Sequence, residues 1–341
     1  MTFTQNLAVL MSPTLRWETF FSAILRDGGQ PDTCNLTDIS SVDFLAACTA
    51  HGVAPLIHRE LHQRGALASW PAALQTALIN QVYLHAAMDA LREQELRTVL
   101  DAFAHCGVQP LLMKGTPLAY THYAASDLRP RSDTDMLIAR ADCEAAHQAL
   151  IDLRYTPSNA VSGELIMHQR LYTKTDAHGV NHLYDLHWKV SNPLRFADLL
   201  NFPELAAEAV PIPALGPHAH TLKPVHALLL ACIHRVAHHH NSHCLIWLYD
   251  IHLLASRLTP DEWETCLQLA RYKQVCAVCH DGLQLAKAYF DTSVPSGWLA
   301  TDPQRDDVPV GNRGHGAFPT PISTTMAGFG FRLARVDELA R

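Results

Sequence analysis

The chain has 341 residues, of which 48% are hydrophobic and 17% charged, with a formal net charge of -7. That length and apolar share can bury a sizeable core and suggest two or three domains. The acidic balance and the lack of a contiguous basic stripe argue against a non-specific nucleic-acid binder and disfavour an RNA or DNA acceptor.

In chain order, the opening Met1-Thr-Phe-Thr-Gln-Asn-Leu-Ala8 lacks a basic n-region, and no apolar run reaches the length of a bilayer span. A cytoplasmic protein is expected. Residues 1–105 read as helical, with heptad-like spacing over Phe44 to Leu61 and a long run from Trp70 to Leu100. A mixed core follows over 106–200. Pro110-Leu-Leu-Met113 reads as a short buried strand, then Lys114-Gly115-Thr116-Pro117 turns into a helical pattern, Leu118 to Tyr123. Thr116 suits an N-cap and Pro117 a first helical position. Gly115 permits close backbone approach to a ligand, and free N–H groups at a helix start favour phosphate.

The run Arg129-Pro-Arg-Ser-Asp-Thr-Asp-Met-Leu-Ile138 then places Asp133 and Asp135 at i and i+2 at the head of an apolar stretch. On a strand that spacing aims both carboxylates at one face, where they repel each other unless a cation lies between them. A divalent metal site is the first expectation, with a polar turn as the bland alternative. Asp142 to Leu153 reads as a capped helix, and His168 to Lys174 pairs with the Asn181 to Val190 stretch around a turn at Asp176-Ala-His-Gly179. In the second of these strands Leu183, Asp185 and His187 share a face, and Tyr184, Leu186 and Trp188 share the other.

Pro203 to Pro217 marks a boundary with a short strand at Ala209 to Ile212, and a helical domain occupies 201–290. Twenty-two histidines include a dense set at His218, His220, His226, His234, His238, His239, His240, His243 and His252. Helical spacing puts His226, His234 and His238 near one side, which admits a zinc site or, more plainly, a polar hydrogen-bonded face. Nine scattered cysteines fit reduced, buried thiols. Cys276-Ala-Val-Cys279-His280 matches the c-type haem string, but it lies in a helical pattern from Trp263 to Ala286 and follows no export signal. Residues 291–341 are punctuated by Pro, Gly, Ser and Thr and read as a flexible tail or extended strap. No Walker A string and no internal repeat occur.

Taken together, Met113-Lys114-Gly115, Leu128-Arg129-Pro130, Asp133-Thr-Asp135-Met-Leu137, Asp185-Leu-His187-Trp188 and Trp247-Leu-Tyr-Asp250 resemble, in order, the motifs of a bacterial uncharacterised nucleotidyltransferase group. That group is part of the DNA-polymerase-beta-like nucleotidyltransferase superfamily. The resemblance runs from about Leu96 to Ala286. Thr116 stands where the wider superfamily often has Ser or Gly, and the interval from Gly115 to Asp133 exceeds that of its compact members.

The resemblance implies an α+β fold: a small mixed nucleotidyltransferase-type sheet with flanking helices, set between N-terminal and C-terminal helical regions. It implies attack of an acceptor hydroxyl on the α-phosphorus of a nucleoside triphosphate (NTP), with pyrophosphate leaving and two Mg²⁺ ions as the clamp, Mn²⁺ being an alternative. Asp133, Asp135 and Asp185 would be metal ligands and catalytic groups, Asp185 also taking the acceptor's proton. Gly115 and Thr116 would cradle the β- and γ-phosphates, with Lys114, Arg129 and Arg131 as cations for pyrophosphate and Arg129 foremost because its fork grips phosphate bidentately. His234 resembles a histidine that shapes the group's cleft. The partners expected are an NTP and a hydroxyl of a small molecule, peptide or protein. The alternative is a non-catalytic nucleotide-binding or scaffold protein on the same fold.

Overall fold

A computed structural model describes residues 17–26, 36, 39–158, 168–239 and 242–299. The N-terminal part is helical: α1 (Trp17–Leu25), α2 (Ser41–His51), α3 (Ala54–Gln63) and the long α4 (Ala72–His105). The stretch with heptad-like spacing over Phe44 to Leu61 is helical, divided between α2 and α3. Gly52 takes a left-handed C-cap at φ 66° and Pro55 sits in the first turn of α3. A side chain at Gly52 would also meet Ile246 at 3.0 Å, so this glycine lets the end of α2 approach a later helix.

The middle of the chain supplies β1 (Leu111–Met113), α5 (Gly115–Thr121), β2 (Thr134–Leu137), α6 (Cys143–Asp152), β3 (Thr156–Pro157), β4 (Gln169–Thr175) and β5 (Asn181–His187). The expected cap of α6 is absent: Asp142 ends a 3₁₀ turn in helical geometry and makes no side-chain cap bond. Then come α7 (Leu194–Ala197), α8 (Phe202–Ala207), β6 (Val210–Pro211) and β7 (His220–Thr221). The C-terminal helices are α9 (Pro224–His239), α10 (Leu245–Ala255), α11 (Pro260–Tyr272), α12 (Cys276–Phe290) and α13 (Ser296–Leu299). A Thr259–Glu262 capping box starts α11.

The Trp263 to Ala286 pattern is split between α11 and α12 by a turn in which Gln274 takes φ 57°. Cys276 and Cys279 are packed, buried thiols of α12, with the hydrogen bond to Cys232 and then burial pushing the Cys279 thiol well up. Of the expected tail, residues 291–299 are described, and Trp298 is buried with its ring 6.0 Å from that of Trp263. The tail expectation for 300–341 and that for His240 lie outside the described residues.

The described strands form one mixed sheet in the order β3-β4-β5-β2-β1-β7-β6. β1 runs antiparallel to β2, while β2 is parallel to β5 and β1 to β7. Period-two alternation assigns the faces. Leu112, Met136, Tyr184 and Leu186 pack with α4 and α6, whereas Leu111, Met113 and Leu137 pack on the opposite face with residues such as Leu205 and Leu230. Asp135, Asp185 and His187 stand in phase with that second set. A separate apolar cluster joins Phe21, Phe44 and Leu56 of the N-terminal helices to Leu229, Ile251 and Leu283 of the C-terminal ones. This is an α+β fold with the sheet held between helices from both ends of the chain.

Candidate active site

Parallel pairing of β2 with β5 puts Asp135 directly opposite Asp185 and Leu137 opposite His187. Two carboxylates and an imidazole therefore converge on one sheet face, and their ligand atoms lie within 4.8 Å of one another. They are the single such group of three or more among the described residues. Lys114 Nζ donates to Asp135 Oδ1 at 2.6 Å, and His187 Nε2 lies 2.8 Å from the same oxygen. Burial alone would raise the Asp135 pKa, but Lys114 and His187 hold it well below the usual carboxylate range.

Asp185 is held differently. Gln169 Nε2 donates to its Oδ2 at 2.5 Å, while Oδ1 is buried without a hydrogen-bond partner. Burial pushes its pKa up and the nearby Asp135 adds to the rise, against the pull of His187. A buried, unpartnered carboxylate oxygen is costly unless something else meets it. Asp133 precedes β2 by one residue and is exposed at the rim, with its pKa raised by surrounding protein and then by Asp135. It is outside the tight group of three but in the lining of the same cavity.

That cavity has a volume of about 900 Å³ and reaches from the β2 and β5 carboxylates to α4, α9 and α10. Lys114 and Gly115 line it. Lys114 adopts φ 59°, ψ -130°, a region that disfavours side chains and stores strain of about 1–3 kcal/mol. The strained turn directs its ammonium onto Asp135. Thr116 is buried, its hydroxyl 3.4 Å from the Asp133 carbonyl and 3.3 Å from Thr134 Oγ1, so it ties α5 to the head of β2.

Neither loop arginine is free to grip a ligand with its whole fork. Arg129 gives Nε and Nη2 to the two oxygens of Asp250 at 3.2 and 2.7 Å, and Tyr123 donates to the same carboxylate at 2.7 Å. Gly115 has a specific reason to lack a side chain: a Cβ there would stand 2.7 Å from Arg129 Cζ. Arg131 is paired with Asp89 of α4 at 2.6 Å, and its Nη2 donates to the Tyr120 hydroxyl at 2.9 Å. His234 and His238 line the cavity with rings 5.2 Å apart, and His238 Nε2 lies 3.0 Å from Ser191 Oγ. His226 is buried elsewhere, 3.8 Å from Glu208. Sequence reasoning placed His187 on the right face but gave it no role, and it passed over Gln169; period-two phasing of β4 against β5 was the available signal for both.

The arrangement is a carboxylate pair on adjacent strands beside a glycine-bearing turn, in the wall of a large cleft. A model of the uncharacterised nucleotidyltransferase family matches residues 38–291. The chain belongs to that family. No curated protein matches the chain. Membership agrees with the motif order, since all five motifs fall inside the matched span. No described helix of this nucleotidyltransferase family member is long and apolar enough to cross a membrane.

Proposed function

We propose that this family member moves a nucleoside monophosphate from an NTP to a hydroxyl of a small molecule, peptide or protein, releasing pyrophosphate. The observation that carries the reading is the side-by-side placement of Asp135 and Asp185 in register on β2 and β5, with Asp133 just upstream at the cleft. The donor set suits a divalent cation: the oxygens are carboxylate, which Mg²⁺ prefers, and Asp185 Oδ1 is buried and unpartnered. Asp133, Asp135 and Asp185 would hold Mg²⁺ or Mn²⁺, with His187 bracing Asp135 from behind. When bound, such ions stabilise the attacking and leaving oxygens of an in-line displacement.

The chain's own groups divide the remaining work. Asp135, held ionised, keeps a permanent negative charge at the centre of the site. Asp185 is the group that takes the proton of the attacking hydroxyl, because it lines the cleft and one of its oxygens has no partner while Gln169 fixes the other. Lys114 moves from Asp135 to the phosphates as they arrive, exchanging one anionic partner for another. Gly115 leaves its backbone open to them, Arg129 and Arg131 hold the walls through Asp250 and Asp89, and Thr116 fixes the turn.

Thermal unfolding with Mg²⁺ and each common NTP tests the reading. Stabilisation by at least one nucleotide, lost in Asp133→Ala, is expected. The absence of any shift, in wild type and variant alike, sinks it. Mass spectrometry of a candidate acceptor then names the group transferred.

A further inference from the structure

α4 presents His85, Met88 and Arg92 to the cavity at i, i+3 and i+7, one face of a helix. The three arginines around the cleft differ in how their charge is met. Arg129 is neutralised by Asp250 and Arg131 by Asp89, both at ion-pair distance and both largely buried. Arg92 has no carboxylate within that distance among the described residues. Its Nη1 donates to the Arg131 carbonyl at 2.8 Å, and its Nε is buried without a partner. Burial and then the charge of Arg131 push its pKa down, opposed by Asp89 and Asp133. The guanidinium is therefore anchored at one nitrogen and short of negative charge at the rest.

The anchor also fixes where it points. The Arg131 carbonyl lies two residues before Asp133, so Arg92 is tied to the loop that carries the first carboxylate of the site. His85, two turns away on the same helix face, has a buried Nε2 that also lacks a partner. Desolvation lowers its pKa, which leaves Arg92 as the standing positive charge on this wall.

Resting on the nucleotidyl-transfer reading, we infer that Arg92, alongside Lys114, binds the β- and γ-phosphates of the NTP and the departing pyrophosphate. A planar fork with an unspent edge matches phosphate oxygens in a way that the carboxylate-paired Arg129 and Arg131 do not. A polyphosphate also supplies the negative charge that the site withholds from Arg92.

The test is equilibrium binding of ATP, GTP, CTP, UTP and inorganic pyrophosphate, with Mg²⁺, to the full chain and to Arg92→Met. Losing one charge-assisted contact lowers affinity for the bound triphosphate and for pyrophosphate by about tenfold or more. Arg92→Lys keeps the charge without the fork and falls between the two. Thermal midpoints accompany each titration, and if Arg92→Met does not fold, Arg92→Gln and Arg92→Lys carry the comparison. Wild-type affinity for triphosphate in a folded variant overturns the assignment while leaving nucleotidyl transfer standing. If wild type binds none of the triphosphates, both readings fall together. Competition by the matching monophosphate adds a second readout: an equal loss for monophosphate and triphosphate would move Arg92 away from the β- and γ-phosphates.

Discussion

The two charged regions bordering the cleft are built on opposite plans. Around Arg129 and Arg131 each guanidinium meets its own acid, Asp250 or Asp89, and Tyr123 and Tyr120 fill remaining valences. Where β2 pairs with β5, one lysine meets Asp135 alone while Asp133 and Asp185 have no lysine or arginine at ion-pair distance among the described residues, and an oxygen of Asp185 is left unmet. Matched buried charges hold a fold together, because each is costly to leave alone. Unmatched ones cost stability and persist where a ligand completes them.

Breaking each region should therefore produce a different kind of damage. The largest effect expected is at the unmatched end: Asp185→Asn reduces nucleotide-dependent pyrophosphate release to background, while its thermal midpoint is unchanged or raised by relief of carboxylate crowding. Near-normal release by that variant would contradict the contrast. At the matched end, Asp250→Ala strands the buried Arg129 and should lower stability by about 3–5 kcal/mol in denaturant unfolding. Replacing both partners by Arg129→Met with Asp250→Leu should return most of that loss.

Gly115→Ala comes next, costing about 1–3 kcal/mol because its methyl would push against the Arg129 guanidinium. Combining it with Arg129→Met should shrink the cost, and an undiminished cost would mean that the glycine serves another purpose. The smallest effect is at the strained lysine. Lys114→Gly should be more stable than Lys114→Ala by about 1 kcal/mol, since both lose the ion pair but only glycine takes φ 59° freely.

The sequence made the local half of this contrast legible. Asp133-Thr-Asp135 and Asp185-Leu-His187 follow a period of two, so their shared faces could be read directly, and the short apolar runs around them marked the strands. What joins them is not local. The partner of Arg129 lies 121 positions along the chain, and only packing of α10 against the loop shows that its fork is already occupied. Arg92 sits in a long helical run where nothing nearby distinguishes it from a solvated arginine, and its place in the cavity wall comes from the way α4 packs. The Lys114 conformation was equally hidden, because lysine is not a residue that announces a positive φ. The break between α2 and α3 was written in Gly52 and Pro55 but masked by apolar spacing that continues through it.

Titration of Mn²⁺ into the full chain, with and without an NTP, tests most directly that the clustered carboxylates form a metal–nucleotide site. Wild type should take up the ion saturably and more tightly with nucleotide present, and Asp135→Asn and Asp185→Asn should lose that uptake with their folds intact. Equal uptake by wild type and both variants, or none by wild type under either condition, would contradict the account.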